Sequence, residues 1–294
     1  MKRKIINFLL ISIILLMSSH TEVYAQEANS TVSDEISLAP KDILKQINKI
    51  ETSITETEAD IKVLEEEIKA KQDKTYTLEV ELKIQRDSIP PHIRRFYDDN
   101  YEILTKKPGP KINSFNNEEN KAFLNSYFVD RAAIGNYTSI LSQLDNLEIE
   151  IENKIRLVNL KNSYIKEKEN EIHELTAQLG LAIVAYADQF VGNPYVWGGN
   201  SLTTGIDCSH FVYQVLKNCE VYSDGYVTSA GWRSKGAAVS SLAEAKAGDI
   251  ICYSGHVAIY DGNGGIVEAK GSKWGITHDR QADCSKILAI RRFI

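Results

Sequence analysis

The run AGDIICYSGHVAIYDGNGGIVEA, Ala247 to Ala269, decides the fold class of the carboxy-terminal part of the chain. Two short strand patterns, Ile250 to Tyr253 and His256 to Tyr260, precede the turn Asp261-Gly262-Asn263-Gly264-Gly265, and a third, Ile266 to Ala269, follows it. Glycine reaches the positive φ values that hairpin turns demand, so this segment predicts an antiparallel hairpin. A fourth strand pattern lies at Ile287 to Phe293. Upstream the pattern is helical: Leu181 to Val191 and Ser209 to Lys217 read as helices, separated by the turn-rich loop Asn193 to Thr204. Helices first and strands after specify an α+β domain with an antiparallel sheet.

Cys208 falls at the start of the second of these helices. Unpaired backbone N–H groups and the positive end of the helix dipole favour a thiolate there, and the Cys208 N–H can donate to an oxyanion in acyl transfer. His256 is the expected base. If the hairpin is symmetric about Gly262, His256 lies directly opposite Glu268, with Cβ atoms about 4.5–5.5 Å apart. A carboxylate there would fix the imidazole tautomer as the third member of a triad. His210 cannot be the base, because residues two apart on a helix do not face each other. His278, beside Asp279 and Arg280, reads as a solvated histidine, and Trp197 as a core aromatic.

The rest of the chain has a different character. Lys2, Arg3 and Lys4, the apolar run Ile5 to Met17 and Val23-Tyr24-Ala25 read as a signal peptide over residues 1–25, so the protein is expected to be secreted. Residues 26–40 read as a flexible linker and 41–180 as a helical domain. Ile43, Ile47, Ile50, Ile54, Ile61, Leu64, Ile68, Leu78 and Leu82 keep 3-and-4 spacing, as do Ile134, Tyr137, Leu141, Leu144, Ile151, Ile155, Val158, Ile165, Ile172 and Leu179. Two matched seams joined by a segment with His92 to Leu104 and Pro108-Gly109-Pro110 predict a long antiparallel coiled-coil hairpin, with arms roughly 60–70 Å long. Pro90-Pro91 is expected to stop the first helix. The hairpin serves either as a spacer or dimerisation rod, giving a homodimer, or as a regulatory arm. Composition changes after Gly180, and residues 181–294 form the catalytic domain with no linker before it.

A net charge of −6 over 294 residues, without a basic patch interleaved with aromatics, argues against nucleic acid as a partner. No metal-ligand spacing appears, and the chemistry needs no cofactor. Cys219 and Cys252 sit in apolar stretches as small buried hydrophobes, and no structural disulfide is expected.

The run Gly192-Asn193-Pro194-Tyr195-Val196-Trp197-Gly198-Gly199, then Asp207-Cys208-Ser209, then Ala247-Gly248-Asp249 and His256-Val257-Ala258-Ile259-Tyr260, resembles the NlpC-type cell-wall cysteine peptidases. The resemblance implies a papain-like fold and cleavage of the bond between D-glutamate and a diamino acid in peptidoglycan stem peptides. It also implies that Tyr195 and Asp207, with Ser229, bind the substrate's polar end. The sequence departs from the family pattern at His210, where a small residue is usual, at Glu268, where histidine is common, and at Val227, where arginine often precedes the Thr228-Ser229 pair. More loosely, the helical region with Ile93-Arg94-Arg95-Phe96-Tyr97 resembles division-associated hydrolases of the PcsB and CwlO type, which implies a membrane regulator of the FtsEX kind. Rival readings are an amidase or acyltransferase on the same fold, and an inert scaffold or adaptor for a cell-wall complex.

Overall fold

The computed structural model describes residues 38–89, 91 and 131–294. The expected signal peptide, the segment up to Ser37, Pro90, the stretch His92 to Leu104 with the Ile93 to Tyr97 motif, and Pro108-Gly109-Pro110 lie outside the described residues. Among the described residues no helix is long and apolar enough to cross a membrane.

Helix α1 spans Pro40–Ser88. Pro40 stands in its first turn, where the fixed φ suits a helix and the missing N–H has no intrahelical partner to lose. Helix α2 spans Arg131–Asp188 without interruption. The two run side by side in opposite directions. Lys71 pairs with Glu150, Glu67 with Lys154, and Asp60 with Lys161 at 2.8 Å, so one number falls as the other rises by the same amount. Between them Leu78 packs against Ile140, Leu144 and Leu147.

At the base of the pair the seam ceases to be a helix–helix affair. Ile43 and Ile47 of α1, with Leu175, Leu179 and Ile183 of α2, belong to the same buried cluster as the apolar residues of the sheet domain. Leu181 to Val191, expected to be helical, are the last turns of α2 as far as Asp188 and the turns that follow. Gly180 lets α2 pass this point. A Cβ there would stand 2.3 Å from the carbonyl oxygen of Ala247, a backbone atom in the Ala247-Gly248-Asp249 turn. Gly180→Ala is therefore expected to lower stability by about 1–3 kcal/mol despite alanine's higher helix propensity, read as a lower urea midpoint. An unchanged midpoint would mean that this close approach relaxes freely.

Helix α3, Cys208–Asn218, is capped by Asp207, whose backbone is extended and whose carboxylate accepts the His210 N–H. Around it run β1 (Asn200–Ser201), β2 (Gly205–Ile206), β3 (Ala237–Val239), β4 (Ile250–Cys252), β5 (Val257–Tyr260), β6 (Gly265–Gly271), β7 (Gly275–Gln281) and β8 (Ala289–Arg292). The last six form one antiparallel sheet in the order β3-β8-β4-β5-β6-β7. Side chains alternate across a strand, which sorts the apolar runs into two layers. Ile250, Cys252, Val257, Ile259, Val267 and Ala269 meet Phe211, Val212, Val215 and Leu216 of α3. Ile251, Tyr253, Ala258, Tyr260, Ile266 and Ile290 form the other layer. Burial on both faces explains why these strands read as unbroken apolar runs.

Candidate active site

Cys208 opens α3 and is buried. His256 stands just before β5, and its Nε2 lies 2.5 Å from Oε2 of Glu268 on β6. A carboxylate only accepts, so Nε2 carries the proton and Nδ1 is left for the neighbouring Cys208 sulfur. Burial alone would pull the imidazole pKa down. Hydrogen bonding and charge from Cys208 and Glu268 outweigh it and raise the value to about 9. The ring also stacks on Tyr253, 6.0 Å between centroids, and the Tyr253 hydroxyl is anchored by donating to the Ala282 carbonyl at 2.6 Å.

Glu268 has no exposed surface. Burial pushes its pKa up, yet hydrogen bonds from His256 and Arg280 more than offset this and hold it below the usual carboxylate value. Arg280 on β7 donates from Nε to Oε1 and from Nη2 to Oε2, at 2.5 Å each. Neither composition nor spacing pointed to Arg280. β7 is Gly-Ile-Thr-His-Asp-Arg-Gln, a polar string without the apolar alternation that reveals a strand.

The hairpin register differs from the expectation. Ile259 pairs with Val267 and Tyr260 with Ile266, so the β5–β6 turn is symmetric about Asn263 and not Gly262. His256 and Glu268 are therefore diagonal neighbours and not directly opposed. The shift is by two residues on the partner strand, which preserves the face, and diagonal pairs remain within reach of long side chains. The turn is longer because Asp261 organises it: its Oδ1 accepts from Asn263 N at 2.7 Å and Gly265 N at 2.9 Å.

Residues 192–286 match the model of the NlpC/P60 family. This segment is an NlpC/P60 domain. The chain is 34% identical over 93 residues to the probable peptidoglycan endopeptidase LytE of Bacillus subtilis, covering 30% of this chain and 26% of that protein. It is 32% identical over 88 residues to the murein DD-endopeptidase MepH of Escherichia coli, covering 28% of this chain and 32% of that one. The crystal structure of the NlpC/p60 domain of the peptidoglycan hydrolase SagA is 31% identical, with 38% of this chain and 97% of that domain covered and a TM-score of 0.34. The chain thus spans about a quarter to a third of the length of these two curated relatives.

Within the NlpC/P60 domain Tyr195 pairs through its backbone with Ile206, and its ring neighbours Cys208 and Asp207 while burial raises its pKa. Asp207 is heavily engaged. It accepts from Gly198 N at 3.2 Å, Ser209 Oγ at 2.9 Å and His210 N at 2.9 Å, and its Oδ2 lies 3.0 Å from His210 Nδ1. His210 stacks flat on Tyr226 at 3.8 Å, which fixes it beside the cap. Ser229 sits half-buried in the turn before Trp232 and makes no hydrogen bond to this group. Trp197, expected in the core, is instead 84% exposed. His278 is exposed, as expected, and also pairs with Asp188 at the end of α2 and Asp261 in the hairpin turn, at 2.9 and 3.2 Å. Those partners are remote in sequence, so no local pattern could announce them. Cys219 and Cys252 are buried thiols whose pKa values burial pushes up to about 12 and about 11, while Cys284 is exposed. Among the described residues no group of three or more His, Cys, Asp or Glu side chains is arranged to hold a metal ion.

Proposed function

We propose that the chain is an exported peptidoglycan endopeptidase that cuts the amide between the D-glutamate side-chain carbonyl and the diamino acid of stem peptides by cysteine chemistry. The observation that carries this is the alignment of Cys208, at a helix start, with an imidazole whose far nitrogen is held by a fully buried carboxylate. The Cys208 thiolate adds to the carbonyl carbon, and the negative oxygen that forms is met by backbone N–H at the start of α3. The His256 imidazolium passes its proton to the departing amine as the C–N bond breaks, leaving a thioester. Neutral His256 then takes a proton from water as the water attacks, the C–S bond breaks, and the acid product leaves with thiolate and imidazolium restored. Tyr195, Asp207 and Ser229 are the proposed binders of the substrate's polar end. The helical pair is proposed as a coiled-coil regulatory arm answering to a membrane partner, a reading supported by the presence of Ile43 and Leu179 in the buried cluster of the sheet domain.

Digestion of defined muropeptides, followed by mass spectrometry, tests the bond. Fragments ending in D-glutamate support the reading; release of whole stems from the sugar would refute it in favour of an amidase. The pH profile gives a second measure. With His256 raised to about 9, the imidazolium persists at neutral pH, and activity is expected to fall as pH rises through about 9, when the leaving amine loses its proton donor. The linked stability has the same sign: the extra proton held by the folded state stabilises fully below about pH 6.5, and that contribution is lost as pH rises through about 9. A rate constant flat to pH 10 would exclude this role for the imidazolium.

A further inference from the structure

We infer that Arg280 is a positioning residue of this site, one that holds Glu268 as an anion aimed at His256. The inference rests on Cys208 and His256 being the working pair.

A carboxyl group with no exposed surface tends to take up a proton, and a neutral Glu268 would no longer stabilise an imidazolium. His256 alone is a poor guard against this, because it can itself hand over the proton it shares across 2.5 Å. Arginine cannot, since it stays charged at any pH the protein meets. Its fork occupies Oε1 and one side of Oε2, which leaves the other side of Oε2 for His256.

The strand register places Arg280 opposite Ile266, on the face of Glu268, and takes His278 out of its way. Ile266 pairs with Arg280, so in an unbroken ladder the residue facing Glu268 would be His278. Instead the register shifts between Ile266 and Glu268, and Glu268 faces Thr277. This bulge adds a residue to β7. It releases His278 to Asp188 and Asp261 and leaves Arg280 on the Glu268 face.

The ionisable groups around Glu268 come from several elements: His256 before β5, Arg280 on β7, and Tyr253 after β4. Cys284, beyond β7, faces Tyr253 and Arg280, and Cys208 on α3 acts through His256. Of these only Arg280 and protonated His256 supply positive charge.

The test is the rate of Cys208 alkylation by iodoacetamide against pH, read by mass spectrometry of the Cys208 peptide in the full chain so that exposed Cys284 does not intrude. Arg280→Gln is expected to move the acidic limb upward by about one pH unit and to lower kcat about tenfold or more with KM little changed. Arg280→Lys, which keeps charge but loses the fork, should leave the limb near its parent position. In a Glu268→Gln background, adding Arg280→Gln should move the limb no further. A folded Arg280→Gln protein whose profile superimposes on the parent's would overturn the inference. Should that variant fail to fold, an acidic limb displaced as far by Arg280→Lys as by Glu268→Gln, or displaced further in the double variant than in Glu268→Gln alone, would overturn it equally. Alkylation needs no substrate, so a limb shift without muropeptide cleavage would leave Arg280's role standing and remove only the substrate assignment.

Discussion

Cys208→Ala is expected to reduce stem-peptide cleavage by a factor on the order of 10⁴ or more, because the nucleophile and the covalent intermediate disappear together. His256 and Glu268 act through that sulfur, so their contributions should vanish with it and not add to it. The fold should scarcely notice. Cys208 is buried at the first turn of α3, at the edge of the apolar face whose fully buried members are Phe211, Val212, Val215 and Leu216. The measurement is product release from purified sacculi alongside a thermal melt. A variant that keeps a tenth of the parent's rate at an unchanged melting temperature would sink the assignment of Cys208 as nucleophile.

The largest expected loss of stability lies elsewhere, at Asp249→Ala, for which about 3 kcal/mol is expected. Asp249 has no exposed surface and is a hub of charge-assisted bonds: Arg292 reaches it from Nε at 2.8 Å and Nη2 at 2.6 Å, and Lys246 N at 2.8 Å. Truncation strands the Arg292 guanidinium between β8 and the Lys246 turn with its carboxylate partner gone, and a charge left without its partner costs far more than the pair contributes. Arg292 keeps some exposure, which places the effect at the lower end for broken buried pairs. The same turn contacts Gly180 of α2 and donates from Gly248 N to the Tyr260 carbonyl at 2.9 Å. Urea unfolding of Asp249→Ala checks the figure, and a loss under 1 kcal/mol would show that water replaces the carboxylate at little cost.

Much of this was legible in the sequence because it depends on local chemistry. The helical pattern from Ser209 to Lys217 places Cys208 at a helix start, and Gly262 to Gly265 announce a hairpin. The apolar strands β4 and β5 are visible because both faces are buried. What escaped depends on distant partners. The exact register of the hairpin was set by Asp261 bonding into its own turn, which lengthens the loop beyond what the glycines alone imply. β7 was silent because Thr277, His278 and Arg280 are polar and find their partners on β6, the hairpin turn and α2. The heptad seams showed two antiparallel helices but not that Ile43 and Ile47 would finish the core of another layer, since an apolar residue in a seam looks the same whatever covers it.

Ion pairs of two kinds coexist in this chain, and the surrounding medium treats them differently. Glu268, Asp207 and Asp249 meet their partners with the carboxylate itself buried, where dissolved ions screen less. Lys71–Glu150, Glu67–Lys154 and Asp60–Lys161 stand along the flank of the helices with their carboxylates about half exposed or more, open to screening over a Debye length of about 8 Å at physiological ionic strength. Rising ionic strength is therefore expected to weaken the ion pairs between α1 and α2 more than those around Cys208. Salt thus separates the two halves of the chain: the helical pair answers to it first, and the buried carboxylates of the NlpC/P60 domain later.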